Sequence, residues 1–248
     1  MGKLGNLSDM DVMNITGGNK FQFSAVKMDK LGATEYTLVT IALDRSGSVN
    51  EFKADLLKAV KSVIGACKKS PRAENLMIRL IDFNDTLNET HGFKLLNAID
   101  ENDYQEPNTV GMTSLFDATY SAVGATLTFA QKLLEQNYNA NGICFVITDG
   151  MDNRSTTTPS MIAQIVNKAK LGEEIESLVT VLIGINTKEG DVSDALSRFA
   201  SEAGLTQYID AGDATAGKLA KLAEFVSKSI SSQSQSLGTG GASIPQTF

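Results

Sequence analysis

From Tyr36 onward the chain alternates short, unbroken apolar runs with longer stretches of helical periodicity, and this alternation restricts the fold more than any other property. Tyr36 to Leu43 reads as a buried strand and Glu51 to Lys69 as a helix. A second strand, Leu76 to Phe83, is followed after a short polar link by the apolar-containing segment Gly92 to Ile99. Parallel neighbours need a crossover of a dozen or more residues, so these two form an antiparallel hairpin and one edge of the sheet is reversed. Beyond them come a helix over Ser114 to Leu134, with Gly124 allowing close packing, and a strand over Gly142 to Thr148. Thr158-Pro159 then opens a helix running to Lys170, with proline at its first position. Leu178 to Ile185 is strand, Asp191 to Glu202 helix, and Gln207 to Ile209 a short closing strand. The last helix, Ala216 to Ser231, carries Leu219, Leu222, Ala223, Val226 and Ile230 on one face, as a core-facing helix does. The pattern predicts an α/β fold: a doubly wound, Rossmann-like, mainly parallel six-stranded sheet with one antiparallel edge strand and helices on both faces.

Three segments follow from composition. Residues 1–33 are polar and glycine-dotted and form an N-terminal extension, in which alternating Phe21, Phe23 and Ala25 predict a strand on the domain's edge. Residues 34–233 form the α/β domain, and residues 234–248, rich in Ser, Gln and Gly, form a flexible C-terminal tail. No window approaches the ~20 consecutive apolar residues of a membrane span. A net charge of −7 argues against a nucleic-acid or anionic-membrane surface, both of which need clustered Lys and Arg. The first residues show no basic region followed by an apolar core of the kind expected of a secretory leader, and Met1-Gly2 misses the myristoylation pattern because Asn6 stands where Ser or Thr is needed. Cys67, on an apolar helix face, and Cys144, inside a strand, read as buried thiols in a reducing compartment. The expected setting is therefore cytoplasmic, where the sequon Asn14-Ile15-Thr16 has no role.

Doubly wound sheets bind ligands outside the carboxyl ends of strands, where the winding reverses. If Tyr36 to Leu43 and Gly142 to Thr148 are neighbours at that point, their ends share one crevice. The first runs into Asp44-Arg45-Ser46-Gly47-Ser48, which offers hard oxygen ligands at alternate positions, a glycine for a tight turn and a helix N-terminus behind. The second ends in Thr148-Asp149-Gly150, and the loop Gly111-Met112-Thr113 can add a hydroxyl. Asp44, Ser46, Ser48, Thr113 and Asp149 thus form a candidate set for one oxygen-seeking cation, Mg²⁺ in the first place. With two carboxylates against three neutral hydroxyls, the ion keeps residual positive charge and favours an incoming carboxylate.

Asp-x-Ser-x-Ser after the first strand, a Thr in a middle loop and an Asp after a later strand, in this order, resemble the von Willebrand factor A domains with a complete metal-ion-dependent adhesion site. The resemblance covers about residues 34–233. It implies a doubly wound sheet with an antiparallel edge strand, a divalent ion (usually Mg²⁺, with Mn²⁺ or Ca²⁺ as substitutes) and a protein partner presenting Asp or Glu. It also implies a binding module rather than an enzyme. Intracellular members often serve as recognition subunits, several alongside AAA+ ATPases, so an ATPase of that type or its substrate is among the implied partners. Arg45 also resembles bacterial proteins of the tellurite-resistance group, consistent with a bacterial or phage-infected cytoplasm; Val49 replaces a Met frequent in intracellular members.

Other features read more plainly. His91 has no nucleophile assigned to it and reads as structural, the acidic loop Asp100-Glu101-Asn102-Asp103 as solvated, and Asp117 and Asp152, close to the crevice, as solvated surface. Gly212-Asp213-Ala214-Thr215-Ala216-Gly217-Lys218 has phosphate-loop spacing and prompts an alternative, a metal-dependent nucleotide or phosphoester enzyme, but Leu219 stands where a metal-binding Ser or Thr belongs. A phosphotransferase using Asp44 as nucleophile would need a second carboxylate where Ser46 stands.

Overall fold

The computed structural model describes residues 9–15, 21–171, 175–187, 190–241 and 245–248. The expectations for Met1-Gly2, Asn6 and Thr16 lie outside these residues. In chain order the elements are β1 (Met10–Asn14), β2 (Gln22–Val26), β3 (Glu35–Asp44), α1 (Lys53–Lys68), β4 (Leu76–Phe83), β5 (Leu87–Leu95), α2 (Leu115–Glu135), β6 (Asn139–Thr148), α3 (Pro159–Lys170), β7 (Leu178–Gly184), α4 (Gly190–Glu202), β8 (Gln207–Asp210) and α5 (Ala216–Thr239). They build one sheet in the order β1-β2-β5-β4-β3-β6-β7-β8.

The expected α/β class holds, and β3, β4, β6, β7 and β8 run parallel. Side chains of β3 alternate between two cores: Leu38 and Ala42 pack on the α2, α3 and α4 side, Val39 and Ile41 on the α1 and α5 side. Burial on both faces is why these strands are nearly continuous apolar runs rather than alternating ones. Cys67 and Cys144 are free and buried, and burial pushes their thiols up to about 12 and about 11.

Among the described residues the sheet has eight strands rather than six. Phe21, Phe23 and Ala25 do mark a strand, β2, but β1 pairs with it antiparallel and the two extend the sheet past β5. The reversed strand β5 is therefore inside the sheet. Gly92 permits this: a Cβ there would lie 1.9 Å from the backbone oxygen of Ser24. Likewise, at Gly124 a Cβ would lie 2.5 Å from Ile15, so α2 receives the extension as well.

The hairpin β4–β5 is antiparallel as expected, but β5 starts at Leu87, and 96–98 form a 3₁₀ turn. The polar residues taken for a link are cross-strand partners. Asn88 and Thr90 donate to Asp82 at 2.8 and 2.9 Å. Glu89 accepts from the buried Arg79 at 2.7 Å and from the Ser24 amide and hydroxyl at 2.8 and 2.6 Å. His91 is buried and structural, stacked on Tyr104 and hydrogen-bonded to its hydroxyl at 2.7 Å.

The last helix also exceeds its expected length. It continues to Thr239, into the segment expected to be a flexible tail, and stops at Gly240 in the left-handed conformation. Its polar residues there are paired inside the protein: Gln233 donates to the Gly142 carbonyl at 3.1 Å and accepts on its own carbonyl from Asn141 at 2.7 Å, while Ser234 accepts from Arg72 at 3.0 Å. Farther on, the Gln246 carbonyl accepts from Gln207 at 3.2 Å and Phe248 lies edge-on to Phe225.

Candidate metal and partner site

β3 and β6 are direct neighbours at the centre of the sheet, with Leu43 opposite Ile147, so the winding reverses between them and their carboxyl ends open on one crevice. Asp44 closes β3 and is buried. Its Oδ1 accepts from the Ser46 amide at 2.7 Å and its Oδ2 from the Thr148 hydroxyl at 2.6 Å. Ser46 Oγ lies 3.0 Å from Ser48 Oγ, and Ser48 Oγ donates to Asp149 Oδ1 at 2.8 Å. Four of the five candidate residues thus form one chain of hydrogen bonds.

Thr113 reaches the same place from the side. Its Oγ1 lies 3.8 Å from where a Cβ on Gly150 would sit, and it makes no side-chain bond to the other four among the hydrogen bonds described. Its loop is fastened to the first by Gly47 N donating to Gly111 O at 3.3 Å and Val110 N to Arg45 O at 3.1 Å.

Sequence reasoning missed the second fastening. α2 begins without a capping hydrogen bond from the side chain of its cap residue, Ser114. The loop after Asp149 supplies the acceptors instead: Asn153 for the Thr113 amide at 2.8 Å, Asp152 for Phe116 at 3.1 Å and Ser155 for Asp117 at 2.9 Å. In return Asp117, expected on the surface, is buried and accepts from the Thr157 amide and hydroxyl at 2.8 and 2.7 Å. Asp152 likewise serves as a cap rather than a solvated charge. The one signal for this was a cluster of Asp, Asn and Ser within reach of an uncapped helix start. Its effect is to lock Thr113 and Asp149 to each other.

Electrostatically the crevice is short of positive charge. Burial raises Asp44 above the usual carboxylate range. Burial and the neighbouring Asp44 raise Asp149 to about 6. Arg45 is turned away onto Asp82 at 2.6 Å. Among the described residues no group of three or more His, Cys, Asp or Glu is placed to hold a metal, so the candidate set is one of two carboxylates with hydroxyls. The acidic loop 100–103 is exposed at Asp100, Asn102 and Asp103, as expected, and forms a capped 3₁₀ turn paired to Lys68 through Glu101.

The phosphate-loop-like stretch makes no cradle. The Gly212 amide donates to Asp210 at 2.8 Å, Thr215 N to Asp213 O at 2.9 Å, and the Thr215 hydroxyl caps α5 by accepting from Lys218 N. These amides are used internally.

Comparison with known proteins agrees with this architecture. The model of the von Willebrand factor type A domain matches residues 39–227. No curated protein matches. Among solved structures, a D319A mutant of the PilB minor pilin from Streptococcus sanguinis superposes with a TM-score of 0.58 at 14% identity, over 88% of this chain and 66% of that one. The pilus adhesin SpaC from Lactobacillus rhamnosus GG gives 0.56 at 11% identity, over 92% and 35%. Proximal thread matrix protein 1 from the mussel byssus, in a form described as having a zinc-occupied MIDAS motif, gives 0.50 at 20% identity, over 79% and 46%. The chain thus spans from about a third to two thirds of the length of these proteins, and at such identities the likeness is one of fold. Domains of the matched family are generally protein-interaction modules with a metal-binding motif. The chain belongs to the von Willebrand factor type A domain family.

Proposed function

We propose that this chain holds a divalent cation, Mg²⁺ by preference and Mn²⁺ or Ca²⁺ as substitutes, at Asp44, Ser46, Ser48, Thr113 and Asp149, and captures a protein through an Asp or Glu side chain. The observation that carries this reading is the pairing of two adjacent carboxylates, both raised by burial and Asp149 also by Asp44, with Arg45 paired to Asp82 and no salt bridge to either carboxylate among the described residues. Two carboxylates and three hydroxyls suit a hard cation. Bound there, the ion supplies an electropositive position that a partner's carboxylate can complete. The protein's own part is to present the oxygens: β3 fixes Asp44, Ser48 and Asp149 are already bonded to each other, and the 150–157 loop holds Thr113 in place.

The cavity beside the site, lined by Leu43, Asp44, Leu56, Val60 and Tyr104 among others, holds about 60 Å³. Ser46, Ser48, Thr113 and Asp149 do not line it, and it is smaller than the roughly 300–1,000 Å³ of small-molecule sites. The internal use of the Gly212 and Thr215 amides favours a binding module over the alternative nucleotide or phosphoester enzyme. An adaptor role beside an AAA+ ATPase in a bacterial or phage-infected cytoplasm fits the same reading. Two buried unpaired thiols support a reducing setting, and among the described residues no helix is long and apolar enough to cross a membrane.

The test is calorimetric titration of chelator-treated protein and of Asp44→Asn with Mg²⁺, Mn²⁺ and Ca²⁺, followed by affinity capture from a cell extract with and without chelator. Saturable binding lost in the variant, with chelator-sensitive capture, supports the reading. Absence of ion binding to the wild type overturns it.

A further inference from the structure

Six large apolar side chains are substantially exposed among the described residues: Val12, Val110, Met112, Met151, Leu171 and Phe248. Three of these, Val110, Met112 and Met151, at 50, 51 and 46% exposure, stand on the two loops that supply Thr113 and Asp149. Isolated exposed hydrophobes need no explanation, but a cluster around a polar crevice marks an interaction surface.

The backbone beneath them is fixed. Val110 N donates to Arg45 O and its carbonyl accepts from Asn84 at 2.8 Å. Gly111 holds a left-handed φ of 85°, and a Cβ there would lie 2.0 Å from the Asp85 carboxylate, which itself accepts from Met112 N at 3.3 Å. Met151 lies between Gly150, whose amide donates to Thr148 at 3.2 Å, and Asp152, which caps α2. The loops cannot collapse to bury these side chains, so they remain in water, prearranged around the crevice. Beside them Arg154 is exposed and pairs with no carboxylate among the described residues. Arg154 thus places a cation on the loop that follows Asp149, in a chain of net charge −7, which suits an acidic ligand.

We infer that Val110, Met112 and Met151 form an apolar collar that selects a partner segment whose acidic side chain is flanked by large apolar residues. This rests on the proposed cation site and specifies its ligand: the carboxylate enters the crevice, its apolar neighbours cover the collar, and further acidic residues meet Arg154. Methionine suits such a surface because its side chain adapts to differently shaped neighbours.

The experiment uses full-length protein labelled with ¹³C at the methionine methyls, in saturating Mg²⁺, titrated with three blocked pentapeptides: Gly-Leu-Glu-Leu-Gly, Gly-Ser-Glu-Ser-Gly and Gly-Leu-Gln-Leu-Gly. The Leu-flanked Glu peptide is expected to shift the Met112 and Met151 methyls and to bind about tenfold or more tightly than the Ser-flanked one. Met112→Gln with Met151→Gln should bring it down to the Ser-flanked level. Equal affinity of the two Glu peptides overturns the collar while leaving the cation site intact, provided both lose affinity with chelator. Equal affinity of the Glu and Gln peptides, or indifference of all three to chelator, overturns the cation reading and this inference with it.

Discussion

Ser48 Oγ donates to Asp149 Oδ1 across 2.8 Å, joining residues 101 positions apart in the chain. The bond spans the crevice between β3 and β6 and holds the Asp-x-Ser-x-Ser loop against the loop after β6. It also sets how substitutions at the site should separate. Asp44→Asn retains an acceptor oxygen for the Ser46 amide but turns an NH₂ group toward the Thr148 hydroxyl and removes the negative charge, so divalent-ion affinity should fall at least a hundredfold, with stability changed by about 1–2 kcal/mol. Thr113→Ala removes one neutral oxygen that water can replace, and should cost affinity only about tenfold. Parallel calorimetric and denaturant titrations check both. Equal loss in the two variants would mean that Thr113 does more than contribute one oxygen.

How much of this was legible beforehand depends on which interactions carried each element. The central strands could be read because strand burial leaves a local signature in residue type and spacing, and the five candidates were singled out as oxygen-bearing residues in the loops at strand ends. The wider sheet could not. Arg79, Glu89 and Ser24 meet only after β5 folds back and β2 docks, and nothing in the run Asn88-Glu89-Thr90-His91 distinguishes a paired strand from a polar link. The same holds for Gln233 and Ser234, whose partners lie on distant elements. Asp117 and Asp152 resembled solvated charge because their partners are the amides of another loop or helix start.

The Arg79–Glu89 pair predicts a severe stability effect remote from the crevice. Arg79 is fully buried, bonds to Glu89 and reaches the Ser121 carbonyl and hydroxyl at 3.3 and 3.2 Å, and lies over the Phe23 ring at 5.9 Å. Glu89→Ala strands a buried guanidinium and should destabilise the protein by about 3–5 kcal/mol. Because Glu89 also holds Ser24, hydrogen exchange should accelerate first in β2 and β1. Replacing both partners, Arg79→Met with Glu89→Leu, should recover part of the loss. A double variant as unstable as Glu89→Ala would show that packing, not the stranded charge, sets the cost.

His91 predicts the acid limb of stability. Burial, with Lys94 and Arg79 nearby, lowers its folded pKa to about 4, against the favourable but weaker effects of the Gly92 carbonyl and Glu89. The unfolded chain, with an ordinary value of about 6.5, therefore binds more protons between these limits. Stability from this group is full above about pH 6.5 and is lost as pH falls toward 4, on the order of 3 kcal/mol in all. His91→Gln, which can still meet the Tyr104 hydroxyl, should flatten the unfolding free energy over that window. An unchanged slope would place the acid sensitivity elsewhere.

The extension of α5 past Ser231 predicts that the end of the chain is structural. Removing residues 232–248 deletes Gln233 and Ser234, and with them the acceptor for Asn141, a donor to the Gly142 carbonyl and the acceptor for Arg72. Asn141 is buried, so its amide is left without that partner. Uncompensated buried polar groups cost about 1–3 kcal/mol each, so the truncated protein should lose several kcal/mol. Truncation after Gly240 keeps the whole helix and its left-handed cap and should cost far less, limited to the contacts of Gln246 and Phe248. Denaturant melts of the two truncations decide the matter: if removal of 232–248 is as mild as removal of 241–248, the last turns of α5 contribute nothing to the fold. Since Asn141 lies in β6, at the end of the strand opposite Asp149, a loss confined to the longer truncation would also be expected to leave Mg²⁺ affinity of the still-folded fraction in place.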